Sequence, residues 1–255
     1  MKISVLAGPG MSTNILLNWL EDQGYSNVEA IIESKVSRGK MLRYRLHRLG
    51  FLETVGQIAF IVAVMPFLRR NAVERQGKIL EQYGLRSEVN HSTPIIAVPQ
   101  VNHPVVEGLL RKREPDVVLV NGTRIIGKNT LDAVKVPFIN THAGITPNYR
   151  GVHGGYWALR CNDPANFGVT LHLVDRGVDT GSVLAHERVT PDTKDNFASF
   201  PVLQQAASFG ALQRVLTELS RGHLPKTLEV DSVFSRQWFH PTIWTYLVGR
   251  IKGIR

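Results

Sequence analysis

Two polar side chains one residue apart, Asn140 and His142, close the apolar run Phe138-Ile139-Asn140-Thr141-His142, and a carboxylate, Asp179, follows on the glycine-rich loop Arg176-Gly177-Val178-Asp179-Thr180-Gly181. An amide can donate a hydrogen bond to an oxygen gathering negative charge. An imidazolium can do the same with charge, and a carboxylate can raise the imidazole's pKa and relay protons. The set contains no nucleophile. Cys161, the single cysteine, is expected at a helix–loop junction, and the sequence has no Gly-x-Ser-x-Gly elbow. Covalent acyl transfer through a side chain is therefore disfavoured. The chemistry that fits is direct attack by a substrate amine on an activated carbonyl.

Such a trio needs rigid strands that end at one edge. Lys2 to Ala7 and Val28 to Ile32 read as buried strands, Ile95 to Val98 as a short one, and Asp116 to Val120 as the continuous apolar run of a strand covered on both faces. Val169 to Val174 alternates, and Val183 to Val189 reads as a further strand. Helices are predicted between them: after a Ser12-Thr13-Asn14 cap, from Val73 to Tyr83, from Pro104 to Lys112, and from Phe197 to Leu219, ended by Gly222. Alternation of this kind means a doubly wound α/β sheet, whose ligands bind outside the strands' carboxyl ends. The Gly8-Pro9-Gly10 turn reads as a plain strand-to-helix turn or a phosphate contact, and Thr13 stands where a dinucleotide fingerprint needs its third glycine. His172, mid-strand between apolar neighbours, reads as a structural histidine and Asp175 as a turn former. Ser87 to Pro94 looks linker-like.

The chain has 255 residues, 43% of them hydrophobic, enough for one large α/β domain with a small appendage. One cysteine forbids an internal disulfide and no Cys/His cluster has zinc spacing, so a reducing compartment and no metal are expected. The N-terminal apolar run is too short for a signal peptide, which predicts a cytoplasmic protein. The net charge of +9 points to a polyanionic partner: a phosphorylated ligand, a nucleic acid or an anionic membrane surface.

Asn140-Thr141-His142, the Pro147-Asn148-Tyr149-Arg150-Gly151 loop, Thr170-Leu171-His172 and Asp179 seven residues later together resemble the folate-dependent formyltransferase family. That family includes glycinamide ribonucleotide and methionyl-tRNA formyltransferases and the N-formyltransferases of nucleotide-linked amino sugars. The resemblance covers about Pro115 to Val189. It implies a Rossmann-like three-layer sandwich with a mostly parallel sheet, and formyl transfer from 10-formyltetrahydrofolate to a primary amine. It also implies that Asn140 donates to the formyl oxygen, that His142 stabilises the oxyanion, and that Asp179 keeps His142 charged and takes the amine's proton. The cofactor-binding slot would comprise Asn121, Gly122, Arg124, Ile125, Ile126, Val174 and Asp175. The chain looks nearest the sugar branch, because Tyr156-Trp157-Ala158-Leu159 follows the Arg150-Gly151 turn. The Gly8 to Asn14 turn matches the glycinamide ribonucleotide enzymes only loosely, and the residues after Thr190 leave little room for a tRNA-binding domain, so no nucleic-acid partner is expected. A nucleotide-linked sugar is the expected amine. The rivals are the other two acceptors, or a non-catalytic binding protein on the same fold.

The catalytic domain is expected over residues 1–222 with a helical insertion at about 35–83, followed by an extension over 223–255. The insertion carries Lys35, Arg38, Lys40, Arg43, Arg45 and Arg48 without one acidic residue, then the mostly apolar stretch Leu49 to Leu68, interrupted by Glu53, Gln57 and Pro66. Its densest apolar run, Ile58 to Met65, is too short to cross a bilayer. The segment reads either as an interfacial helix pair peripheral to the inner leaflet, or as core or a homodimer contact. The tail from Ser232, with Trp238, Phe239, Trp244, Tyr246, Arg250, Lys252 and Arg255, is expected to pack on the domain itself.

Overall fold

The computed structural model describes residues 1–231 and 234–254, so the tail's Ser232 and Arg255 lie outside the described residues. In chain order the elements are β1 (Ile3–Ala7), α1 (Met11–Asp22), β2 (Val28–Glu33), α2 (Arg38–Leu49), α3 (Phe51–Ala59), a π-helical stretch (Phe60–Val64), α4 (Met65–Gln82), β3 (Ile95–Val98), α5 (Pro104–Arg113), β4 (Val117–Asn121) and α6 (Lys128–Leu131). They continue with β5 (Phe138–His142), β6 (Tyr149–Gly151), α7 (Gly154–Arg160), β7 (Gly168–Leu173), β8 (Val183–Arg188), α8 (Phe200–Ser220), β9 (Arg236–Trp238) and α9 (Ile243–Ile251).

Seven strands form one sheet in the order β3-β2-β1-β4-β5-β7-β8. The first five are parallel, and β7 and β8 are added antiparallel. Strand side chains alternate between faces, so a run apolar at every position must be covered twice. In β1 and β4, Ile3, Val5, Ala7, Val117 and Leu119 pack with α1 and α8, while Leu6, Val118 and Val120 pack with Val106 and Leu110 of α5. The result is the expected three-layer Rossmann-like sandwich.

Several local expectations change. Helix α1 begins at Met11 with Gly10 at its cap and no side-chain cap bond; Thr13 Oγ1 instead donates to the Gly8 carbonyl at 2.6 Å. The segment expected to be linker-like is tied to α1, because Asn18 donates to the carbonyls of Arg86 and Glu88 and Glu21 holds Ser92. The insertion is the largest departure. Helix α3, the π stretch and α4 form one continuous helix, Phe51–Gln82, which by length and composition is apolar enough to cross a membrane. Pro66 does not interrupt it. Proline lacks an N–H and crowds the preceding turn, and the wider π turn lies directly before it, with the Met65 N–H reaching the Phe60 carbonyl.

Candidate active site

Asn140 and His142 end β5, and antiparallel pairing sets Asn140 opposite His172 of β7. This cross-strand register assembles the site. His172 Nδ1–H donates to the Leu173 carbonyl at 2.8 Å, which leaves Nε2 to accept from Asn140 Nδ2 at 3.1 Å. The second Asn140 amide hydrogen goes to Asp179 Oδ1 at 3.3 Å. His142 Nε2–H donates to the Tyr149 carbonyl at 2.7 Å, and its Nδ1 stands 3.3 Å from Asp179 Oδ2. Asp179 lies beyond β7 with φ of 50°, a left-handed conformation open to Asp, and its Oδ2 accepts the Gly151 N–H at 2.9 Å.

Asn140, His142 and Asp179 therefore meet at the carboxyl edge, joined by His172, which sequence reasoning had set aside as structural. Burial pushes the His142 imidazole below its ordinary value, while Asp179 and the Tyr149 carbonyl pull it back. The expectation that Asp179 simply keeps this ring charged thus omits the larger opposing effect. Both ring nitrogens face acceptors, so a proton reaching the ring is received at either end. Burial works to raise the Asp179 carboxyl, but His172, His142 and the Gly151 N–H together hold it below the usual carboxylate range.

The residues expected at the cofactor slot divide. The Asn121 side chain donates to Ser12 Oγ and Thr13 Oγ1, each at 3.1 Å, and so fixes the start of α1 rather than facing a ligand. Arg124 is committed through its side chain to Glu33 and the Ser34 carbonyl, and through its N–H to Glu33 Oε1 at 2.7 Å. Asp175 accepts the Gly177 N–H and the Thr180 hydroxyl, the turn role its type suggested. Val174 extends the sheet by donating its N–H to the Phe138 carbonyl. Ile126 is buried and Gly122 and Ile125 are exposed, with the Ile125 carbonyl accepting from Asn102. The loop thus offers a ligand its backbone and the Ile125 side chain.

A second wall comes from the C-terminal tail. Strand β9 pairs in parallel with β6, and Trp238 stacks on Trp157 at 4.6 Å and on Tyr149 at 6.1 Å between ring centroids. Gly151 sits between β9 and Asp179 with φ of 96°, and a Cβ there would meet the Trp238 carbonyl. Behind this wall His153 Nε2 and His240 Nδ1 are 3.1 Å apart. Burial, with Arg45 and Arg69 nearby, lowers His240 to about 4. A group that titrates lower folded than unfolded contributes stability above its unfolded value near 6.5, and loses it as pH falls towards the folded value. Between pH 7 and 5 His240 alone is expected to remove about 2 kcal/mol, or about 4–8 °C in Tm. Melting curves of the native chain and His240→Gln check this: the variant should show the smaller fall, and equal slopes would exclude His240 as the cause.

Among the described residues no cluster of His, Cys, Asp and Glu is arranged to hold a metal. The family model described as Formyl transferase matches residues 76–200, which includes the whole trio. Methionyl-tRNA formyltransferase of Syntrophus aciditrophicus is 28% identical over 149 residues, 57% of this chain and 47% of that protein. The chain spans about half the length of the curated relatives it matches. Two solved structures share the fold. Phosphoribosylglycinamide formyltransferase from Bacillus halodurans has a TM-score of 0.53 at 21% identity, over 85% of this chain and 96% of that one. The N-formyltransferase from Helicobacter canadensis, in complex with folinic acid and dTDP-3-aminofucose, has a TM-score of 0.58 at 13% identity, over 93% and 71%.

Proposed function

Because residues 76–200 place this chain in the formyltransferase family, we propose that it transfers the formyl group of 10-formyltetrahydrofolate to the primary amine of a nucleotide-linked sugar. The observation that carries the reading is the meeting of Asn140, His142 and Asp179 at a sheet edge with no side-chain nucleophile among them. The folate co-substrate would supply an activated formyl carbonyl. The loop between β4 and α6 fits a heterocycle with alternating donors and acceptors: the Ile125 and Ile126 N–H groups make no hydrogen bond within the described residues, and the Ile125 side chain is 57% exposed beside them.

The residues divide the work through their hydrogen bonds. At rest both Asn140 amide hydrogens are engaged, the longer bond reaching Asp179. When Asp179 takes a proton from the attacking amine, its oxygen becomes a poorer acceptor, and that amide hydrogen is released to the formyl oxygen as charge gathers there. His142 Nδ1, 3.3 Å from Asp179 Oδ2, can share the proton taken from the amine, and that proton would leave with the tetrahydrofolate nitrogen as its bond to the formyl carbon breaks. His172 fixes the amide plane of Asn140 from across the strand pair.

The sugar acceptor is supported by the sugar nucleotide named for the Helicobacter canadensis structure; the Tyr156-Trp157 pair that suggested it in the sequence is packed inward, Tyr156 in the core and Trp157 against Trp238. Incubation with 10-formyltetrahydrofolate and a panel of amino-sugar nucleotides, glycinamide ribonucleotide and methionyl-tRNA tests it. Tetrahydrofolate should form with an amino-sugar nucleotide. Formylation of either other acceptor alone would keep the transfer reading and replace the substrate. No turnover with any amine, combined with amide-exchange protection confined to Gly8–Asn14 rather than Asn121–Gly127, would overturn both.

A further inference from the structure

We propose that α2, the outer face of the Phe51–Gln82 helix and α9 form a surface that lies on an anionic lipid membrane. The proposal rests on residues outside the active site, so it stands or falls separately from formyl transfer.

Helix α2 poses the problem. None of its twelve described residues is buried, and its main contact is with α3. It holds no acidic residue, yet it exposes Met41, Leu42, Tyr44 and Leu46 beside Arg38, Lys40, Arg43 and Arg48. A short helix of this composition gains little from water, since most helix stability in proteins comes from packing an apolar face. The next helix continues the pattern. Phe51, Leu52, Val55, Ile58 and Val62 recur at helical spacing on its outer side, with Phe51 and Leu52 71% and 74% exposed. On α9, Trp244, Leu247, Val248 and Ile251 do the same, followed by the exposed Arg250 and Lys252. The two apolar faces adjoin, because Gly56 of α3 packs directly on the Trp244 ring.

What covers such a surface must be apolar within and anionic at the rim. A second copy of the chain fails this condition. A two-fold interface could cover the apolar face with itself, but a copy of this patch brings further cations and no anionic rim for the basic row of α2. Nucleic acid would satisfy the cations but leave Phe51, Leu52 and Val62 in water. An anionic leaflet meets both, taking apolar side chains into the acyl boundary and cations among the headgroups. Trp244 is suited to the boundary between the two.

The long helix can lie on a membrane but cannot be surrounded by it. Its inner face is bound to the domain along its length: Gln57 donates to the His240 carbonyl at 2.9 Å, Arg75 makes two 2.9 Å bonds to Asp195, and Gln76 donates to the Ala198 carbonyl. Phe60, Met65, Leu68 and Ile79 are buried in the same core as Tyr156 and Tyr246. Only the outer face is free to enter lipid.

Flotation of the full chain with vesicles tests the proposal. The native protein should float with phosphatidylglycerol–phosphatidylcholine vesicles, not with phosphatidylcholine alone, and added salt should release it. Arg43→Glu with Arg48→Glu should weaken binding roughly tenfold or more, by the usual contribution of each cation at an anionic surface. Leu52→Asp with Val62→Asp should abolish it. All four positions are exposed, so thermal melting of the variants should match the native chain. Failure to float at low salt overturns the proposal, as does undiminished binding of either variant. A dimer that masks the face without vesicle binding, or resistance to alkaline carbonate extraction, overturns it in favour of self-association or a spanning helix.

Discussion

Asp179→Asn is expected to lower kcat about 100- to 1,000-fold while leaving affinity for a folate analogue within a few-fold, the usual cost of removing one member of an oxyanion-stabilising set. Asparagine keeps the side-chain volume, accepts the φ of 50° at this position and can still accept the Gly151 N–H. What it loses is the negative charge 3.3 Å from His142 Nδ1 and the capacity to take a proton from the amine. His142→Asn should fall in the same range, and the double variant should be little worse than either alone, because the two act as one unit. Single-turnover rates with analogue binding measured in parallel provide the check. Transfer retained within tenfold in either variant would remove these residues from the chemistry.

The largest stability effect is expected from Trp238→Ala. This ring is 8% exposed, stacks on Trp157 and Tyr149, and donates its indole N–H to the Asn148 carbonyl at 3.2 Å. Truncating a buried aromatic residue costs about 3–5 kcal/mol, which for a chain of this size lowers Tm on the order of 10 °C. The change should also reduce turnover, since β9 supports β6 and Gly151 of β6 positions Asp179. Trp238→Phe should recover most of the lost Tm. An unchanged Tm in the alanine variant would show that the tail only rests against the domain.

The sheet was legible because parallel strands buried on both faces leave an unmistakable mark, as in Val117–Asn121, where every position is buried. Asn140 and His142 were legible for a related reason: polar groups closing an apolar strand sit at its carboxyl end. His172 was not, because its place depends on register with β5, and pairing between strands leaves no local pattern. The partners of Asn121 and Arg124 were hidden by distance along the chain, Thr13 lying 108 residues away and Glu33 91. The continuous helix through Pro66 was missed because a π turn has no composition of its own.

Strand β9 gives the site a timetable. Tyr149 pairs with Arg236, 87 residues later, so β6 is synthesised well before its partner exists. At about 5–20 residues per second the interval is about 4–17 s. In its last part, once α8 has ended at Ser220, the whole sheet with Asn140, His142, His172 and Asp179 is on the growing chain, but the strand that braces Gly151 is not. The sheet and its four polar side chains therefore precede the brace, and a ribosome stalled between residues 221 and 235 would hold the trio without the strand that fixes Gly151 against Asp179.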